Sequence, residues 1–169
     1  LEGHEILIVN DGSTDGSTHL LDNCNFINHI YLSSNQGKGT AIKEGLLKAN
    51  NNKIIIFDGD MELKTTDINR LMILNRKKNI FCLMGYRFYS LNPFKSAFDW
   101  GNFMFTTFFN LTHISNHKDI LCCAKAFYLK DIKIEKLKSN GFDIDLELSS
   151  MLTKKYKYNK INQLRLSYN

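Results

Sequence analysis

Short apolar runs, each closed by a polar or glycine-rich turn, recur along this chain and alternate with stretches of helical spacing. Glu5-Ile6-Leu7-Ile8-Val9 reads as a strand. It ends at Asn10-Asp11-Gly12-Ser13-Thr14-Asp15-Gly16-Ser17, a turn whose side chains suit capping of a short helix through His19-Leu20-Leu21. Ile30-Tyr31-Leu32 is a second brief strand, and the turn Asn35-Gln36-Gly37-Lys38-Gly39-Thr40 leads into a helix over residues 41–49. The clearest run is Ile54-Ile55-Ile56-Phe57, whose β-branched composition between polar flanks predicts a strand covered on both faces. It stops abruptly at Asp58-Gly59-Asp60. A helix over 66–74, a strand over 80–84 delivering Gly85-Tyr86-Arg87, and a long aromatic helix over 94–111 come next. A strand over 120–128, a helix from Gly141-Phe142 through Leu152 and a strand over 158–168 close the chain. Strands alternating with helices predict an α/β sandwich around a mostly parallel sheet.

With 169 residues, 43% of them hydrophobic, and no repeat or linker, the chain is expected to form one domain over residues 1–169. No apolar run approaches the ~18 residues of a membrane span, and no secretory signal is expected. The aromatic helix is expected in the core, with a membrane interface as the alternative for a helix too short to span. Leu1 in place of Met, close to a strand, points to an excerpt of a longer protein. The net charge of +5 suits anionic partners such as nucleotides, lipid phosphates or membrane surfaces. The aromatics sit in apolar runs rather than along a basic stripe, which argues against nucleic acid. Cys24, Cys82, Cys122 and Cys123 lack metal-site spacing and read as free thiols of a reducing compartment.

The chemistry concentrates after the isoleucine run. Two carboxylates at the end of a strand repel each other and call for a cation or water between them. Hard oxygen ligands suit Mg²⁺ or Mn²⁺, which in turn hold a diphosphate. The plainer alternative is a polar turn closing a strand. Gly37-Lys38-Gly39 permits close backbone approach to a ligand. It is not a Walker loop, because the upstream glycine is missing and Lys38 precedes Gly39 rather than Ser or Thr. Arg87 offers a bidentate fork to a phosphate, with a surface salt bridge as the alternative. His113 and His117 read as loop residues without a third ligand.

The order of these motifs resembles family 2 glycosyltransferases of the GT-A fold: residues 5–15, then Asn35-x-Gly37-x-Gly39-x-Ala41, then Asp58-Gly59-Asp60. Gly85-Tyr86-Arg87, Gly101-Asn102, residues 119–127, 139–148 and 156–169 are similar to the dolichyl- and polyprenyl-phosphate hexose synthase branch. The resemblance implies a Rossmann-like α/β/α domain, incomplete at both ends, with the family's first strand and helix missing. Where that branch carries an arginine ahead of Gly-Asn, this chain has Ala97-Phe98-Asp99-Trp100, with Lys95 the nearest cation, and Cys123 replaces a small glycine. The implied activity is metal-assisted, inverting transfer of a hexose from a nucleoside-diphosphate sugar to a polyprenyl or dolichyl phosphate. Transfer to a saccharide hydroxyl in cell-surface glycan synthesis and a non-catalytic remnant are the alternatives. The implied roles are Asp60 as metal ligand, Asp58 on ribose or metal, Glu62 as a third oxygen, and Asp11 on the base. Gly37 and Lys38 lie on the donor side, and Arg87 and Asp119 on the acceptor side. Asp145 stands where ordinary members carry their base, with a solvated helix carboxylate as its alternative. The cytoplasm, including the cytoplasmic face of a membrane, is the implied location, and peripheral membrane contact is allowed.

Overall fold

The apolar runs become strands in the computed structural model, which describes residues 3–24, 27–87 and 97–167. The described strands are β1 (Leu7–Asn10), β2 (Asn28–Tyr31), β3 (Lys53–Ile56), β4 (Cys82–Tyr86), β5 (Lys125–Tyr128) and β6 (Ile161–Arg165). The helices are α1 (Ser17–Asp22), α2 (Lys38–Lys48), α3 (Asp67–Leu71), α4 (Ala97–His113) and α5 (Ile144–Tyr156). Pro93, Phe94 and Lys95, where the aromatic helix was expected to begin, lie outside the described residues. The contacts group into two units, Leu1–Asn52 with Lys133–Ile144, and Lys53–Ile132 with Asp145–Asn169.

In the first unit β1 and β2 pair in parallel, with Leu7 opposite Asn28 and Asn10 opposite Tyr31. Helix α2 packs on β1, where its Gly45 leaves room for the Val9 methyl. In the second unit the strand order is β3-β5-β4-β6. Strands β4 and β6 are parallel, whereas β5 is antiparallel to both of its neighbours. The expected mostly parallel sheet therefore takes in one reversed strand, because the chain after α4 re-enters between β3 and β4 from the opposite end.

That insertion moves the centre of the sheet. The isoleucine run forms β3, which pairs only with β5 among the described residues; its Ile54, Ile55 and Ile56 are half-buried and Lys53 is exposed. The two-sided cover expected there belongs instead to β5, buried at all four residues, and to Cys82–Gly85 of β4. Leu71, Leu83, Cys122, Ala126 and Leu166 form the middle of the core. Strand β5 is shorter than expected, and residues 119–123 are its buried approach, in which Cys122 and Cys123 are free thiols.

Helix α4 reverses the expected placement of its aromatics. Asn102, Thr106 and Phe109 are buried, while Trp100, Phe108 and Leu111 are 54%, 68% and 75% exposed. Trp100, Met104, Phe108 and Leu111 fall on one face at helical spacing, so the apolar face points outward and a polar face points inward. No helix among the described residues is long and apolar enough to cross a membrane.

His117 is not a loop residue in water. It is 3% exposed, bonds Thr153 Oγ1 through Nε2 at 2.9 Å, and sits edge-on to Phe109 and Tyr158. Burial, then the nearby His113 and Lys125, push its imidazole down to about 4 from 6.5. The unfolded chain therefore binds a proton between those values that the folded chain refuses. Stability from this group is complete above pH 6.5 and is lost as the pH falls toward 4, on the order of 3 kcal/mol in all. Urea unfolding across that interval should show the decline, and His117→Gln should flatten it; an unchanged slope in the variant would exclude His117 as its source.

Candidate functional site

The second unit collects its polar groups at one edge of its sheet. Because β5 is antiparallel to both β3 and β4, the strands β3, β4 and β6 all run in the same direction. Their carboxyl ends therefore lie together, with Asp58 and Asp60 following β3, Arg87 following β4, and Arg165 closing β6. In open α/β sheets this edge is where ligands bind. With β5 between them, the ends of β3 and β4 are roughly 10 Å apart, two strand spacings.

Asp58 is half-buried, and Asp60 and Glu62 are exposed. Asp60 Oδ1 accepts the Glu62 N–H at 3.1 Å across Met61, whose φ of 63° is left-handed. A methionine in that conformation costs about 1 kcal/mol or more and holds the carboxylate turn in a fixed shape. Asp58 lies near Cys123, whose thiol is pushed far up by its hydrogen bond with Cys122, by burial and by the Asp58 charge. Among the described residues no group of three or more His, Cys, Asp or Glu side chains is arranged as a metal cluster. Asp58, Asp60 and Glu62 thus do not close into a cage. A pair of hard carboxylates fits a divalent ion that takes its other ligands from phosphate and water.

Arg87 is neither an uncommitted fork nor a surface ion pair. Its Nε donates to Asp119 Oδ2 at 2.9 Å and its Nη2 to Oδ1 at 3.2 Å, while its backbone N–H also reaches Oδ2 at 3.2 Å. The Asp119 side chain is fully buried and that of Arg87 is 20% exposed. Burial disfavours the guanidinium charge, but the hydrogen bonds and charge of Asp119 outweigh it and raise the group above its ordinary value. Asn102 of α4 donates to Asp119 Oδ1 at 3.2 Å and accepts from Thr106 Oγ1 at 3.3 Å. The inward face of α4 is thereby fastened to the arginine.

Asp145, in the first turn of α5, is 3% exposed, so the solvated carboxylate considered for it does not hold. The Lys125 ammonium donates to its Oδ1 at 3.0 Å and to the Cys122 carbonyl. Ser149 Oγ, one turn on, donates to the Ile120 carbonyl at 2.9 Å. A proton taken by Asp145 would have to break a buried ion pair, so this carboxylate serves as a strut between α5 and β5. Lys125 was missed, although a lysine between Ala124 and Ala126 in an apolar run signals a buried partner.

In the first unit Asp11 holds the glycine-rich turn. Its Oδ1 accepts the Gln36 N–H at 2.7 Å and its Oδ2 the Gly37 N–H at 2.8 Å. It therefore braces the start of α2 rather than the helix that follows its own turn. The Gly39 N–H donates to the Asn140 carbonyl at 2.7 Å. Gly37 has φ 93°, and a Cβ there would stand 2.4 Å from the Asn140 oxygen; one on Gly39 would stand 2.3 Å from that of Ser139. The close approach expected to serve a donor is taken up by the chain's own backbone. Lys38 lies over the exposed Phe142 ring, 5.6 Å from its centroid.

Residues 1–135 match the family described as Glycosyl transferase family 2. Glycosyltransferase AglJ of Haloferax volcanii is 27% identical over 149 residues, covering 85% of this chain and 48% of that protein. Undecaprenyl-phosphate 4-deoxy-4-formamido-L-arabinose transferase of Yersinia pestis is 36% identical over 76 residues, 42% of this chain and 23% of that protein. Dolichyl-phosphate beta-glucosyltransferase ALG5D of Trichomonas vaginalis is 37% identical over 71 residues, 40% of this chain and 22% of that protein. The chain thus spans about half or less of the curated relatives it matches. Glucosyl-3-phosphoglycerate synthase of Mycobacterium tuberculosis superposes with a TM-score of 0.72 at 12% identity, over 96% of this chain and 59% of that one. The same enzyme with Mn²⁺, UDP-glucose and phosphoglyceric acid gives 0.70 at 11% identity, over 96% and 60%. This likeness shows a common fold, the GT-A fold.

The buried pair of Lys125 and Asp145 gives a stability test. Lys125→Met takes the compensating ammonium away from the buried Asp145 and should cost about 3–5 kcal/mol in urea unfolding. Replacing both residues with apolar ones should recover most of that loss; a double variant no more stable than the single one would show that the pair is not the source.

Proposed function

This chain belongs to glycosyl transferase family 2, and from that premise we propose that it moves a hexose from a nucleoside-diphosphate sugar to a polyprenyl or dolichyl phosphate. The observation that carries the acceptor is the reversed helix α4. Its outward face offers Trp100, Met104, Phe108 and Leu111, and its inward Asn102 is bonded to the Asp119 that holds Arg87. An apolar shelf joined to an arginine suits a ligand with a hydrocarbon tail and a phosphate head. The names of two relatives, an undecaprenyl-phosphate sugar transferase and a dolichyl-phosphate glucosyltransferase, support the same class of acceptor. Docking of α4 on a bilayer surface would bring the protein to such a lipid.

The chemistry fits this acceptor better than a saccharide hydroxyl. A hydroxyl must lose its proton as it attacks, and Asp145 is buried in its pair with Lys125. A phosphate monoester arrives ionised. Its oxygen attacks the anomeric carbon from the face opposite the leaving group, the bond to the diphosphate breaks, and the nucleoside diphosphate departs with the electron pair. This inverts the anomeric centre. Asp58 and Asp60 would hold a Mg²⁺ or Mn²⁺ ion together with the diphosphate, with Glu62 as a further oxygen. When bound, such an ion supplies positive charge to the leaving group. Asp119 holds Arg87 at this edge, where its charge would compensate the acceptor phosphate. By the family resemblance, Asp11, Gly37 and Lys38 of the first unit are further contacts for the nucleotide sugar.

Calorimetry with UDP and GDP in Mn²⁺ should detect binding, and Asp60→Ala should weaken it at least tenfold; a protein that binds neither nucleotide would sink the donor assignment. With undecaprenyl phosphate in vesicles, radiolabelled sugar should pass into the organic phase. Phe108→Glu should cut that transfer severalfold while nucleotide binding holds, and undiminished transfer would exclude α4 from acceptor delivery.

A further inference from the structure

Cys122 and Cys123 are neighbouring free thiols on the buried approach to β5, 1% and 9% exposed. On an extended strand, adjacent side chains point to opposite faces. Here the chain bends at Cys123 before the strand begins at Lys125, and the two thiols hydrogen-bond each other. Register fixes their place in the sheet. Lys125 stands opposite Ile56 of β3 and Met84 of β4, and the Gly85 N–H continues the second ladder to the Ala124 carbonyl at 2.8 Å. Continuing the antiparallel count outward puts Cys123 level with Asp58 and with Tyr86, and Cys122 level with Arg87. The Asp58 N–H donates to the Cys123 sulfur, and both thiols lie close enough to Arg87 to act on its charge. The pair therefore occupies the ground between the acidic turn after β3 and the arginine after β4.

None of the transfer chemistry uses these sulfurs. We propose that Cys122 and Cys123 close reversibly into a disulfide with each other, a modification site whose oxidant is a hydroperoxide and whose effect falls on the carboxylate turn at Asp58. One sulfur attacks the outer oxygen of the peroxide, the O–O bond breaks, and an alcohol leaves (water, for hydrogen peroxide). The neighbouring sulfur then attacks the sulfenic acid so formed. The S–S bond closes, and the hydroxyl departs as water with the second thiol's proton. In all, the thiols give up two electrons and two protons, which reduce the peroxide to alcohol and water. Adjacent Cα atoms are ~3.8 Å apart, short of the roughly 4.4–6.8 Å that ordinary disulfides span. Ring closure therefore twists the local backbone and leaves a bond that thiols readily reduce. That twist moves the Cys123 sulfur from the Asp58 N–H and loosens the turn that carries Asp58 and Asp60. The effect on nucleotide binding rests on the donor site proposed above; the ring closure does not.

The test treats the folded chain with hydrogen peroxide and reads the tryptic peptide Asp119–Lys125, which holds both of these cysteines and no other. Its mass should fall by two hydrogens and return with dithiothreitol. Phenylarsine oxide, which bridges close thiol pairs, should bind the reduced chain and not the oxidised one. Cys122→Ser and Cys123→Ser should lose both responses; circular dichroism checks that each folds, and either one suffices for the comparison. A peptide that stays reduced, only gains oxygen, or becomes joined to Cys24 or Cys82 would overturn the proposal. Calorimetry with UDP and Mn²⁺ should show affinity lowered severalfold in the oxidised wild type and restored by dithiothreitol, with peroxide leaving Cys122→Ser unaffected. Unchanged affinity with the ring closed would overturn its effect on the Asp58 turn. A wild type that binds UDP in neither state would remove the donor reading, while ring closure, read by mass, would stand.

Discussion

A lysine in the middle of a sheet cannot remain unpaired, and much of the second unit follows from that constraint. Lys125 lies in β5, the strand inserted antiparallel between β3 and β4, and its ammonium is 1% exposed. Taking an isolated ammonium out of water costs several kcal/mol even after relaxation. Asp145 supplies the compensating charge and the Cys122 carbonyl a further acceptor, so the first turn of α5 is fixed to the sheet centre. Ser149 repeats the attachment one turn later. Apolar packing by Ile144, Leu148 and Leu152 would allow α5 to slide by a turn at small cost; the ion pair does not.

The same device recurs where the sheet meets solvent. Asp119 and Asp67 are both buried, and each accepts from an arginine side chain and from a backbone N–H, that of Arg87 itself on Asp119 and that of Ser167 on Asp67. A carboxylate used in this way brings a cation to the surface without leaving it free to fold back. The carboxyl edge thus offers acidic groups after β3 and basic groups after β4 and β6, held apart by the width of β5. Opposite charges that could neutralise one another if adjacent are kept roughly 10 Å apart by the sheet itself. A ligand carrying both a divalent cation and phosphates would find a partner for each.

How much of this could be read from the residues depended on whether the signal was local. Glu5–Val9, the glycine turn and the isoleucine run each carry their own pattern, and each became the expected element near the expected place. The reversal of β5 has no local mark. Ala124-Lys125-Ala126-Phe127 looks the same whichever way it runs, and its direction is decided by the path taken after α4. The apolar residues of α4 were legible as a helix but not as an outward face, because periodicity shows that two faces differ and not which one meets the protein. The decisive residues are Asn102 and Thr106, polar yet buried, whose value depends on Asp119 17 and 13 positions further on. Arg87 and Asp145 stand out in the sequence, yet the residues they pair with, Asp119 and Lys125, come from distant segments. Pairing across 32 and 20 positions leaves no spacing to read.

These pairings also bear on the kind of reaction the edge can support. A general base must exchange its proton with the acceptor, so it needs access and a lone pair that is not committed to a cation. Asp145 has neither the access nor an uncommitted Oδ1, since it lies against Lys125 in the interior. The acidic groups that do face outward, Asp60 and Glu62, stand in the turn after β3, across β5 from Arg87. If the acceptor approaches from the arginine side, the groups that meet it are cations, which stabilise an anion and do not abstract a proton. An acceptor that is already ionised needs nothing more from the protein than position and charge compensation. The outward apolar face of α4, bonded through Asn102 to the same Asp119, then supplies a surface for whatever such an anion is attached to.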